Sequence, residues 1–340
     1  MDKIRQAWKE EYCQEWFQFI LDNPDKDWNY NSLSGNPNIT WNIIEKNQDK
    51  NWNYDNLSDN PNITWDIIEK NQDKNWDYDY LSSNKNITWE IVKNNPHISW
   101  YYWDLSKNAT ITWEIVKNNP QISWDYGYLS LNPNITWDII LNNIDEDWNW
   151  YHYVSLKPNI TWDIIKNNRD KDWNFEYLSC NSGITMDIIN EHLEEDWSYG
   201  NFSYNSNVTW DIVQNNPLFD WDYSSLSKNR NITWDIVKNN PDKPWDYNSL
   251  SNNPNITCEI ITNNLNYDWN FTNFSENQNI TWKMIKDNPQ IKWDYKKLSF
   301  NPMTMQFHDY MKKKEELYDI AHTTMSKYTN RDIADVIMKM

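Results

Sequence analysis

Groups able to do chemistry are few and scattered in this chain of 340 residues. The five histidines, His97, His152, His192, His308 and His322, lie in different segments, and none stands at the spacing of a zinc site or of a nucleophile with its base. Three cysteines are too few for a disulfide framework or a four-cysteine metal site, so a reducing compartment fits best. The adjacent pair Glu194-Glu195 reads as solvated loop charge, and His192 as a structural substitution rather than a ligand. With only 4 glycines there is no phosphate-cradling loop, and no Walker, Rossmann, His-Glu-x-x-His or nucleophile-elbow pattern occurs. The expectation is a non-enzyme with no catalytic residue, no metal and no cofactor.

Aromatic residues are the abundant chemistry: 25 Trp, 21 Tyr and 9 Phe. They supply buriable surface that disordered chains lack, despite a mean hydropathy of −0.98. The formal charge of −19 opposes binding to nucleic acid or anionic lipid, and the charged first twenty residues hold no membrane-length apolar run. A cytoplasmic protein is expected.

A repeat organises these aromatics. The segment Asn-Ile-Thr-Trp-Asp-Ile-Ile recurs every 24 residues, and a first register runs from Phe17 through Trp41, Trp65 and on to Trp282. A second register, eleven residues later, runs from Trp28 to Trp293, so there are twelve repeats. One residue is inserted between Trp148 and Ser155. Thr precedes the first-register position in eleven repeats and reads as a helix N-cap. Asn six residues after that position reads as a stop able to take the left-handed conformation. Asp, Asn or Ser before the second-register Trp, as at Asp27, Asp147 and Asp268, reads as the cap of a second short helix. Helices this short need neighbours to persist, which predicts an all-α solenoid of two short helices per repeat, the second α or 3₁₀. With helices about 8–10 Å apart, twelve repeats predict an open rod or superhelix on the order of 100 Å long. Residues 1–16 and 304–340 read as N- and C-terminal helical caps around a solenoid over 17–303.

The period and the Asn-Pro at repeat junctions, as at Asn36-Pro37 and Asn253-Pro254, resemble the leucine-rich variant repeat, which pairs an α-helix with a 3₁₀-helix in a superhelix. Its Leu, Val and Ala core positions are Trp, Ile and Tyr here. The chain more closely resembles the Asn- and Trp-rich tandem-repeat proteins of giant, mimivirus-like DNA viruses over about residues 17–303. That likeness implies no activity to carry over.

Departures from the consensus point to binding. Consensus positions between the second-helix aromatic and its Leu are polar, yet repeats 4 to 6 place Tyr101, Trp103, Tyr128, Tyr151 and His152 there or beside it. Exposed aromatics are favoured at protein interfaces. The expected function is a protein-binding scaffold whose partner carries basic segments, with this cluster as the contact. The alternative is that these rings merely cover a bend at the insertion. A self-associating structural protein of a virion or viral factory is the second functional reading, and binding of single-stranded nucleic acid or glycans the least favoured.

Overall fold

The computed structural model describes residues 2–158 and 160–325. Its described residues form helices and connecting turns without a strand. A helix over Asp2–Leu21 opens the chain, a helix beginning at Thr304 closes the described part, and short helices of four to six residues alternate between them. The opening helix runs unbroken through residue 17 and supplies the first-helix position of repeat 1.

In repeats 2 to 12 the first helix begins at the first-register residue with Thr at its N-cap position, and most of these Thr hydroxyls accept a first-turn amide. Thr88 Oγ1, for example, accepts from Ile91 N–H, whereas Thr40 instead donates to Glu10. The second helix starts two residues after the second-register Trp. Its cap is therefore the residue following that Trp, as when Asp77 accepts from the amides of Asp79 and Tyr80. The expectation of a cap before the Trp is corrected: Asp27, Asp147, Asp172, Asp196, Asp220 and Asp268 are exposed connector residues.

The terminating Asn also works differently from the expectation. Asn71 sits at φ −132°, not in the left-handed region. Its side chain donates 2.7 Å to Ile67 O, occupying a carbonyl at the end of the first helix, while its own carbonyl accepts the Trp76 indole N–H at 2.8 Å. An amide that satisfies the helix end and a carbonyl that orients the next Trp explain Asn better than backbone conformation does. At His192 only the carbonyl half of this arrangement survives, accepting from Trp197.

Two polar ladders join the repeats. Ser58, buried, donates to Tyr54 O and accepts the Asp77 N–H of the next repeat at 2.9 Å. Asn84 donates to Ser58 O and Asn60 O at 2.8 and 3.1 Å and accepts from Asn86 N–H. Buried amides of this kind are fully paired, as burial requires. Around them lie Leu81, Ile87 and Val92, while second-register Trp residues such as Trp76 are buried and first-register Trp residues only half-buried.

The solenoid closes on itself. Asn29 N–H donates to Ser299 Oγ at 3.0 Å, and Asn36 donates to Ser299 O and Asn301 O at 2.9 and 3.2 Å. These are the inter-repeat bonds of the interior, made between the first repeat and the last. Across the seam Trp28 meets Tyr295 edge-on at 5.0 Å. The two terminal helices pair beside it through Arg5–Glu315 and Lys314–Glu11, each at 2.9 Å. Tyr12 is buried there against Trp282, Phe307 and Tyr310, with its hydroxyl donating to Met303 O. The predicted open rod is thus a ring, its ends covered by each other.

Second helices of successive repeats pack side by side while the first helices fan apart, which places the second helices on the inner wall. At roughly 8–10 Å between helices, twelve of them set a circle about 30–40 Å across, enclosing an opening on the order of 20 Å.

Repeat 6 absorbs its extra residue as one π-helical turn, Trp150–Val154, in which Val154 N–H reaches back to Asn149 O.

Candidate binding surface on the inner wall

The aromatic residues singled out in sequence lie on consecutive second helices, and the structure brings them into one track. Trp103 is 51% exposed, lies 5.5 Å from Tyr101 and stacks on Tyr128 at 6.4 Å with their planes 20° apart. Tyr128 meets Tyr153 at 5.6 Å, and His152 links Tyr153 to Tyr151 at 6.3 and 4.8 Å. Gly127 lies beside the arrangement: a Cβ there would sit 2.9 Å from Asp125 Oδ1 and 3.6 Å from the Tyr153 ring.

Tyr101 stands at a helix cap. The equivalent residue is Asn, Asp or Ser in the other repeats and accepts a first-turn amide, whereas Tyr101 provides no side-chain cap. Losing such a cap costs about 0.5–2 kcal/mol. The fold therefore gives up stability at this position for an exposed ring.

Acidic groups flank the track on the side of the earlier repeats. Asp59, Asp77, Asp79 and Asp104 line a hollow of about 390 Å³ with Tyr80 and Tyr101. Lys107 pairs with Asp104 and holds its ammonium 5.7 Å over the Tyr128 ring. Burial pushes the Asp59 carboxyl above the usual carboxylate range, opposed by the Ser83 hydroxyl that donates to it. Burial likewise raises the Tyr153 phenol, helped by neighbouring Tyr128, which keeps that phenol neutral near pH 7.

Tyr153 and Tyr80 were missed in sequence. The insertion moves Tyr153 off the Leu position it would otherwise hold, which hides it. Tyr80 lies between Tyr78 and Leu81 and meets the criterion that singled out the others.

Other reactive groups stay apart. Among the described residues no three His, Cys, Asp or Glu side chains converge as a metal site. His192 stacks on Trp162 at 4.3 Å and faces Glu194. Cys13 and Cys258 are buried, and burial pushes the Cys13 thiol up to about 12. Among the described residues no helix is long and apolar enough to cross a membrane. No protein-family model, curated protein or solved structure matches this chain.

Proposed function

We propose that the ring is a non-enzymatic scaffold that takes a basic segment of a protein partner against the aromatic and acidic arc of its inner wall. The observation that carries this reading is the Tyr101–Trp103–Tyr128–Tyr153 track, exposed at its Trp, beside a hollow lined by four aspartates. Guanidinium groups stack on Trp and Tyr faces and pair bidentately with carboxylates, so an arginine-bearing segment satisfies both halves of the surface. A lysine-bearing segment would pair with the carboxylates and sit over a ring, as Lys107 does, but without the planar stacking and bidentate fork of arginine. The chain's net charge of −19 adds a long-range attraction for such partners and a repulsion for nucleic acid. If the likeness to giant-virus repeat proteins is one of descent, the partner is a host or viral protein.

Self-assembly is the second reading. Its end-to-end form has lost its surfaces to the seam, since the terminal helices pair with one another.

The test is fluorescence anisotropy with labelled peptides that are arginine-rich, lysine-rich or acidic, at several salt concentrations. Wild type should bind the arginine-rich peptide best. Trp103→Ala/Tyr128→Ala should weaken it at least ten-fold with the circular dichroism unchanged. Tyr101→Asp, which restores a helix cap, should weaken the peptide while raising stability. Equal binding by wild type and both variants would overturn the assignment.

A further inference from the structure

The irregular sixth repeat changes more than its helix. Where the connectors of the other repeats carry the laddering Asn, this one carries Lys157. Its ammonium replaces the amide, donating 2.7 Å to Ile135 O and lying 3.5 Å from Asn132 O. The next rung is thinned as well, with Asn181 donating to Lys157 O at 2.7 Å. Gly183 then lies so close to the Ile160 carbonyl that no Cβ would fit, a second sign that this junction is built differently.

On the other side of the Lys157 connector, against residues 130–137 of the preceding unit, opens a cavity of about 360 Å³, within the size range of small-molecule sites. Its walls include Leu131, Ile135, Leu156 and Ile160 together with the donor-bearing residues Lys157 and Trp137. The Trp137 indole nitrogen is buried without a hydrogen-bond partner. Among the described residues no carboxylate side chain lines the cavity. An ammonium has three donors, and two carbonyls lie within reach of this one. Burial lowers the Lys157 amine to about 8, a sign that the protein does little to stabilise its charge. An Asn at this position would serve the ladder and leave no charge to bury. The lysine thus supplies something the fold does not need.

We propose that this cavity binds a small apolar monocarboxylate, its carboxylate on the Lys157 ammonium and its apolar part along Leu131, Leu156 and Ile160. Charge complementarity selects the head, because among the described lining residues every side-chain hydrogen-bonding group is a hydroxyl, an indole N–H or an ammonium. The apolar lining selects the tail. The site is independent of the aromatic track's proposed partner, although Tyr153 borders both.

Isothermal titration calorimetry of the full chain with octanoate, octylamine and octanol tests it. Octanoate should bind wild type at one site per chain, octylamine should not bind, and octanol should bind at least ten-fold more weakly than octanoate. Lys157→Asn, which restores the rung of the other repeats and so retains the fold, should weaken octanoate at least ten-fold. In a separate readout, acetylation of Lys157 by limiting acetyl N-hydroxysuccinimide ester, mapped by mass spectrometry, should slow when octanoate is present. No binding of octanoate to wild type would overturn the proposal. So would octylamine binding as well as octanoate, undiminished binding by folded Lys157→Asn, or no protection of the amine.

Discussion

Ring closure makes a prediction that an open solenoid cannot share. Asn229 is fully buried in the interior of the ladder, donating to Ser203 O and Asn205 O at 3.1 and 3.0 Å and accepting from Asn231 N–H at 2.9 Å. Asn205 O keeps a second donor in Val208 N–H, so Asn229→Ala leaves mainly Ser203 O and Asn231 N–H without partners. At about 1–3 kcal/mol for each buried polar group left unpaired, the cost should be about 2–6 kcal/mol. Asn36 makes the equivalent bonds, donating across the seam to Ser299 O and Asn301 O and accepting locally from Asn38 N–H, and is 2% exposed. Among the described residues Asn301 O has no second donor like Val208 N–H, so Asn36→Ala should cost at least as much as Asn229→Ala. In an open solenoid its amide would face water, and only the local bond to Asn38 would be lost, for about 1 kcal/mol or less. Urea unfolding followed by tryptophan fluorescence and far-ultraviolet circular dichroism measures both variants, with coincident transitions required before free energies are compared. A small loss for Asn36→Ala beside a large loss for Asn229→Ala would refute closure.

Two further outcomes follow from the departures from consensus. Lys157 titrates near 8 when folded and near 10.5 when free, so below pH 8 its charge is fully a burden. Between these values the folded chain sheds the proton first and stability rises with pH, by at most ~3 kcal/mol because the amine is only partly buried. Lys157→Asn should then be more stable than wild type at pH 7, with an advantage that shrinks towards pH 10; a constant gap in urea titrations across that range would contradict this. In repeats 8 and 11, Met186 and Cys258 take the first-register Trp position while Phe202 and Phe274 take the Leu position and stack on Trp221 and Trp293. Cys258→Trp alone should overpack and cost about 1–3 kcal/mol, Phe274→Leu alone should leave a void, and the double variant should recover most of both losses in a thermal-unfolding cycle.

Much of the unit was legible because its interactions are local. Thr caps, the buried Ile or Val one turn on, the core Leu and the turn before each Trp all act within one 24-residue period, and periodicity reveals them. The reading failed where two placements satisfy the same residue type. An acid before or after Trp can each cap a helix, and the backbone amides select the residue after it, as Asp77 shows. Asn71 suits an unusual backbone by type, but its side-chain amide and its carbonyl are what the helix end and Trp76 use. The aromatic residues of repeats 4 to 6 were visible as departures from consensus. That they form one stacked track depended on neighbouring helices lying side by side, and Lys157 drew no notice because a single lysine in a connector is unremarkable until its burial is known.

Sequence by itself determined the repeat, its two helices and the need for neighbours, since each short helix exposes a face it cannot bury alone. Tertiary structure alone decided that the array closes. Closure depends on the small rotation between successive repeats, about 30° on average when twelve complete a circle. That angle arises from how side-by-side second helices pack against fanned first helices, and no residue encodes it locally. A few degrees more or less at each junction would leave a superhelix with free ends. Here the rotations sum to a full turn, Ser299 and Asn36 meet as interior residues do, and the second helices become the wall of a central opening.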